Sequence, residues 1–163
     1  MECQGLSFPA QQGALVFRGV AQLNLDSKGR LAVPSRFRDV LAARCSGHLV
    51  VTADSDRCLL IYPLPDWEPI EQKLMSLSSF NAQIRELQRR LVGYAEDVVM
   101  DATGRILVPP ALRQFAQLEK AAVLVGQGNK FELWNKDNWE QRMDQGGGFG
   151  SSGLPPELEG FSL

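Results

Sequence analysis

The residues of this chain best suited to chemistry are basic, and they sit in one turn. Asp26-Ser27-Lys28-Gly29-Arg30 runs into Leu31-Ala32-Val33-Pro34-Ser35-Arg36-Phe37-Arg38. Lys28 and Arg30 flank a glycine, and Arg36 and Arg38 follow at the start of an expected helix. A tight corner that projects cations suits an anionic surface, and a two-stranded ribbon with projecting Arg and Lys fits the major groove of DNA. Solvated charge and ion pairing are the competing readings. Catalysis has less to stand on. His48 is the only histidine, has no Ser, Cys or carboxylate partner by motif, and reads as a structural or surface residue. The glycine stretches lack the Gly-Lys-Ser/Thr of a phosphate-binding loop. Asp54 and Asp56 read as hairpin-turn residues, because the other ligands of a calcium loop are missing. No catalytic residue, metal site or cofactor is expected.

The basic turn occurs twice. Asp26 to Arg38 returns as Asp101-Ala102-Thr103-Gly104-Arg105-Ile106-Leu107-Val108-Pro109-Pro110-Ala111-Leu112-Arg113. The Asp, the Gly, the first Arg, the Val, the first Pro and the last Arg are identical. Such a repeat implies two copies of one supersecondary unit, and it lets function be read by difference. Asp26, Gly29, Pro34, Asp101, Gly104 and Pro109 are corner residues and read as scaffold. Arg30 and Arg105 are less easily explained, since a corner has no steric need of arginine. Each either pairs with a carboxylate to hold the fold or faces a ligand. Lys28 becomes Thr103 and Arg36 becomes Ala111, so only the first copy keeps a basic cluster. From Phe17 to Cys45, Arg18, Lys28, Arg30, Arg36, Arg38 and Arg44 stand against Asp26 and Asp39, a net +4 on a chain whose total is −2. That asymmetry places one basic face on an acidic body.

The elements that must carry these residues follow from pattern. Ala21, Leu23 and Leu25 alternate with polar residues and predict a half-buried strand. Leu31 and Val33 continue as a second strand after the turn. Ser35 is expected to cap a short helix with apolar positions Phe37, Val40 and Leu41. Leu49–Ala53 and Cys58–Tyr62 predict a hairpin. The second half repeats the order: strand 95–100, turn 102–104, strand 106–108, a short helix after Pro109, and a hairpin 122–134 across Gly126-Gln127-Gly128-Asn129. Asp137 with Glu140 resembles a capping box. Between the halves, Ile70, Leu74 and Leu77, then Ile84, Leu87 and Leu91, predict two helices broken at Ser78-Ser79. The three cysteines, Cys3, Cys45 and Cys58, form no C-x-x-C pair and suggest a reduced, cytoplasmic setting. No apolar run approaches membrane-spanning length.

The pattern also resembles known families. D-x-x-G-R-x-x-x-P-x-x-x-R, present twice, is similar to the AbrB/SpoVT swapped-hairpin DNA-binding fold. Phe17-Arg18-Gly19, DSKGRLAVPSRFR, CLLIYPLPDW with EQKL, and LVGQGNKFELW together resemble the MraZ family of bacterial transcriptional regulators, over about Phe17 to Met143. This resemblance implies an α+β, β-rich fold of two tandem AbrB-like swapped-hairpin units, forming a pseudo-twofold barrel with flanking short helices. The expected organisation is a loose arm at 1–16, a DNA-facing unit at 20–66, a helical bridge at 67–94, a second unit at 95–138 and a flexible tail at 146–163. Also implied is a ring-shaped homo-oligomer that binds double-stranded DNA at direct repeats in its own promoter. That promoter would head the division and cell-wall gene cluster, with repression the usual outcome and a cytoplasmic, nucleoid-associated location. The DNA-contacting residues implied are Lys28, Arg30 and Arg18, with Arg38 added by the AbrB pattern; Arg36 belongs to the same basic cluster. The alternative is an interaction ring whose basic face meets acidic proteins. Val16-Phe17-Arg18-Gly19 stands where family members begin Met-Phe-Arg-Gly, so residues 1–15 are read either as an extension or as the product of an upstream start.

Overall fold

The computed structural model describes residues 16–145, 155–158 and 160. The expected arm at 1–16 and tail at 146–163 lie outside them, apart from residues 16, 155–158 and 160. The chain begins with strand β1, Phe17–Asn24. A tight turn leads to the three-residue strand β2, Arg30–Ala32, and then helix α1, Ser35–Cys45. Strands β3, His48–Ala53, and β4, Leu59–Pro63, form the expected hairpin. Helices α2, Leu64–Ser76, and α3, Ala82–Leu91, cross over to the second half. There β5, Glu96–Val99, β6, Arg105–Leu107, and α4, Pro110–Phe115, repeat the first motif. Strands β7, Ala121–Gly128, and β8, Phe131–Asn135, form a second hairpin before helix α5, Lys136–Gln145.

The halves exchange strands. β1 of the first half runs antiparallel to β7 of the second, from Phe17 opposite Gly128 to Asn24 opposite Ala121. β5 of the second half pairs with β3 of the first. The six-stranded sheet has the order β1-β7-β8-β4-β3-β5. β2 and β6 pair only with each other, Leu31 opposite Ile106.

The expected barrel is therefore corrected: the sheet does not close. β1 and β5 are its two ends, and β2–β6 is a separate ribbon. The tight turns redirect the chain out of the large sheet. Pro34 and Pro109, which have no backbone N–H, then stop β2 and β6 after three residues.

β3 and β4 are almost continuous apolar runs because both faces of the sheet are covered. The inner face carries the main core, where Leu31, Leu41, Val51, Leu59, Ile106, Leu112 and Leu133 are buried. At its centre Phe17 stacks on Phe131, ring centroids 4.2 Å apart, and Phe37 meets Phe131 edge-on at 5.0 Å. On the outer face Val50, Leu60 and Tyr62 pack under Trp67 of α2. Cys58, Val123, Val125 and Trp134 pack under Trp139 of α5. Burial pushes the Cys58 thiol pKa up, which makes it a packing residue rather than a nucleophile.

Three boundaries differ from the sequence reading. α1 is capped by Pro34 in extended geometry, with Ser35 already its first residue and no side-chain cap bond. The Asn138 N–H donates to Asn135 Oδ1 at 3.0 Å, so α5 starts one residue before the expected Asp137. The β7–β8 corner lies one residue late, between Gln127 and Lys130. Gly126 remains in the strand because β1 comes close: a Cβ there would sit 2.5 Å from Arg18 N.

Candidate nucleic-acid interface

The two copies of the repeated turn are built alike. Gly29 and Gly104 take φ of +83° and +79°, a region L side chains avoid. The Gly29 N–H donates to Asp26 O at 3.0 Å, and Gly104 does the same to Asp101. Asp26 Oδ1 accepts from the backbone N–H of Lys28 and of Arg30, each at 2.9 Å, and its Oδ2 accepts from Arg30 Nε at 2.9 Å. Asp101 repeats this with Thr103 N, Arg105 N and Arg105 Nε. Of the readings open for Arg30 and Arg105, ion pairing therefore holds in both, with each side chain about one-third exposed or slightly more.

These bonds favour the charged carboxylate. The backbone N–H of Arg30 is the largest influence on Asp26 and lowers its pKa from 3.8 to about 2. The N–H of Arg105 does the same for Asp101. A carboxylate depressed on folding stabilises the fold above its unfolded pKa, and that contribution is lost as pH falls through the folded value. Both turns are expected to hold at pH 4 and above and to loosen together toward about pH 2. Amide exchange at Lys28, Arg30, Thr103 and Arg105 on an acid series measures this. Unchanged protection at pH 2 would show that the carboxylates do not hold the turns.

Pairing also decides what faces outward. Arg30 lies opposite Leu107 and Ala32 opposite Arg105, while Leu31 and Ile106 point to the core. The outer face of the ribbon thus carries an arginine at each end. With Nε taken by the aspartate, each guanidinium keeps its terminal nitrogens for another partner. The copies differ at the apex. The Lys28 side chain is exposed, with no hydrogen bond or ion pair among the described residues. Thr103 is bound on both sides: its hydroxyl donates to Asp101 Oδ1 at 2.7 Å and accepts from Arg105 Nε at 2.9 Å.

The remaining basic residues separate into two groups. Arg18 and Arg36 are exposed and come together, with Val16, Phe17, Phe37 and Val40, around a cleft of about 300 Å3. The Arg36 guanidinium lies 4.7 Å from the centre of the Phe37 ring and passes over Gly19. Arg38 is not displayed with them. Its Nε donates to Val33 O at 2.7 Å and its side chain packs over Gly104. Arg44 pairs with Asp66 at 2.7 Å.

Sequence reasoning missed Arg113, whose guanidinium packs over Gly29. The signal was present: the last arginine of the repeat survives in the second copy, where Lys28 and Arg36 have no basic counterpart. His48 is exposed at the start of β3, and Asp54 accepts from the Asp56 N–H at 3.1 Å within its turn. Among the described residues no cluster of His, Cys, Asp and Glu could hold a metal ion, and no helix is long and apolar enough to cross a membrane.

Comparison with known proteins adds to this geometry. A family model described as "MraZ protein, putative antitoxin-like" matches residues 16–90 and again 91–147. The chain is 63% identical over 148 residues to a protein of Nitrosospira multiformis named transcriptional regulator MraZ, covering 91% of this chain and all of the relative. Proteins of the same name from Thiobacillus denitrificans and Pseudomonas aeruginosa are 57% and 50% identical, with the same coverage.

Proposed function

The chain belongs to the MraZ family, and on that premise we propose that it is a sequence-specific DNA-binding transcriptional regulator whose contact surface is the first repeated turn. The family is one of transcriptional regulators and not of enzymes. In this reading the protein represses the division and cell-wall cluster that contains its own gene. It acts as a ring-shaped homo-oligomer in the cytoplasm, on the nucleoid, with several copies of the turn set against direct repeats. The observation that carries the reading is the asymmetry at the apex. Among the described residues Lys28 is an unpaired cation on a turn held by the hydrogen bonds of Asp26, and Thr103 is bound on both sides at the matching place. A rigid mount with an unpaired charge is what a phosphate contact needs.

The roles divide by chemistry. Lys28 is a point charge suited to phosphate. Arg30, with Nε held by Asp26, presents its two terminal nitrogens in a fixed direction. That fork matches guanine O6 and N7, a contact worth about 1–3 kcal/mol of discrimination. Arg18 and Arg36 supply further backbone contacts from the cleft at the opposite end of β1 from the turn. Arg38 contributes through packing.

Lys28→Ala is expected to weaken binding to all DNA about equally and to lower the salt slope by roughly 1 for each phosphate it no longer neutralises. Arg30→Lys is expected to relax sequence preference while general affinity remains. Thr103→Ala is expected to do neither. Protection mapping on the DNA upstream of the gene, followed by site selection on each variant at two salt concentrations, tests these roles. Binding that vanishes under competitor DNA would instead favour a basic face for acidic proteins.

A further inference from the structure

We propose that the two halves position each other's turns: Arg113 of the second half sets the first, DNA-facing turn, and Arg38 of the first half sets the second turn. The functional consequence rests on the reading that the first turn contacts DNA; the structural crossing does not.

The crossing is carried by reciprocal contacts. A Cβ built on Gly29 would lie 2.5 Å from Arg113 Cζ and Nη1 and 2.6 Å from its Nε. Three guanidinium atoms at nearly one distance mean that the flat group lies face-on against the glycine. At Gly104 the same place is taken by Arg38, through Nε and Cδ. The backbones cross in the same sense: the Val108 N–H donates to Gly29 O at 3.0 Å, and the Val33 N–H donates to Gly104 O at 2.8 Å. Each turn is thus seated on the strand end and helix of the opposite half. The glycine does two jobs, since it takes the positive φ and leaves room for the guanidinium.

The two clamps are not equal. Arg38 is tied to its own half through the 2.7 Å bond from Nε to Val33 O. Arg113 Nε is buried with no partner among the described residues. A buried N–H without a bond is costly, so what Arg113 gives the structure is its planar face against Gly29. Lysine has no such plane. α4, which carries Arg113, is fixed by the buried Leu112, so its position is set by the core. The hydrogen bonds around Asp26 fix the shape of the first turn, and Arg113 fixes where that shape sits. Lys28 and Arg30 are then aimed from a helix in the half that lacks the basic cluster.

The test is a crossed comparison on the full chain. Arg113→Ala is expected to speed amide exchange at Lys28 and Arg30 while leaving Thr103 and Arg105 unchanged. Arg38→Ala is expected to do the reverse. In binding to the upstream promoter fragment, Arg113→Ala is expected to lose about tenfold in affinity, within the range that coupling through packed side chains reaches, and Arg38→Ala to lose clearly less. Arg113→Lys should behave like Arg113→Ala if the planar face matters. Leu60→Ala, which loosens the outer cluster that includes no residue of either turn, controls for stability alone and should leave turn exchange selective for neither. Loosening of both turns by each arginine variant, or of the turn in the same half, would overturn the proposal. If Arg113→Ala does not fold, Arg113→Met, which keeps the stem but not the planar group, takes its place, and failure to loosen the first turn selectively would also overturn the proposal. Lys28→Ala separates the two readings. If it leaves DNA binding unchanged, the assignment of the DNA-facing turn fails, while the exchange pattern still decides the crossing.

Discussion

Phe131→Ala is expected to lower stability by about 3–5 kcal/mol, the range for removing a buried aromatic from a packed core. Phe131 is 2% exposed and sits where β1, α1 and β8 meet. It stacks on Phe17 at 4.2 Å and meets Phe37 at 5.0 Å, so one second-half ring holds two first-half rings. Such pairs add about 0.5–1.5 kcal/mol each beyond the area they bury. The surrounding side chains belong to a sheet and a helix already fixed by their own bonds, which limits collapse into the gap. Denaturant unfolding measures the change. A loss under about 1.5 kcal/mol would mean that the centre repacks easily and that the three rings do not join the halves as described.

A promoter fragment cut from several repeats to one is expected to bind the proposed ring about 10²–10⁴-fold more weakly. Between Phe17 and Cys45 one subunit presents few free cations. Arg44 is paired with Asp66, Arg30 is partly held by Asp26, and Arg38 is packed over Gly104. Lys28, Arg18, Arg36 and the outer nitrogens of Arg30 remain. A handful of phosphate contacts supports weak, salt-sensitive binding alone. Affinity must then come from several turns that engage spaced sites together, because each later contact is made at high effective concentration. Titration of fragments with one, two and more repeats checks this. Equal affinity for one and for several repeats would remove the ring from the proposed mechanism.

Much of the fold was legible because the repeat marks its own units. The alternation in Ala21, Leu23 and Leu25, the apolar runs of β3 and β4, and the Asp-x-x-Gly corners are local signals, and local structure followed them. Beyond the two hairpins, β3–β4 and β7–β8, which strand pairs with which was not legible from the residues alone. β1 and β7 carry no residue pattern that names the partner, so strand exchange and the open sheet emerge only from tertiary packing. The helix starts were misplaced because extended Pro34 and the Asn135 side chain supply the boundaries that residue type alone assigns to Ser35 and Asp137. At the site, Lys28 stood out as a cation kept by one copy. The opposite fates of Arg36 and Arg38 were hidden, since two residues of one type in one helix turn differ only in which neighbour they meet. Arg113 was overlooked because charge counting discounts the arginines of an acidic half.

The exchange of strands also governs how the molecule is made. β1 leaves the ribosome before its partner β7, which is about 100 residues behind it, and at roughly 5–20 residues per second that is a wait of roughly 5–20 s. Until then Phe17 has no second-half ring to stack on, and the first basic turn has no Arg113 beneath it. The nascent first half is therefore a sticky, unfinished surface rather than a pre-formed domain. Native assembly waits until β7 has been made, and pairing at such separation makes it slow by the standard of helical proteins.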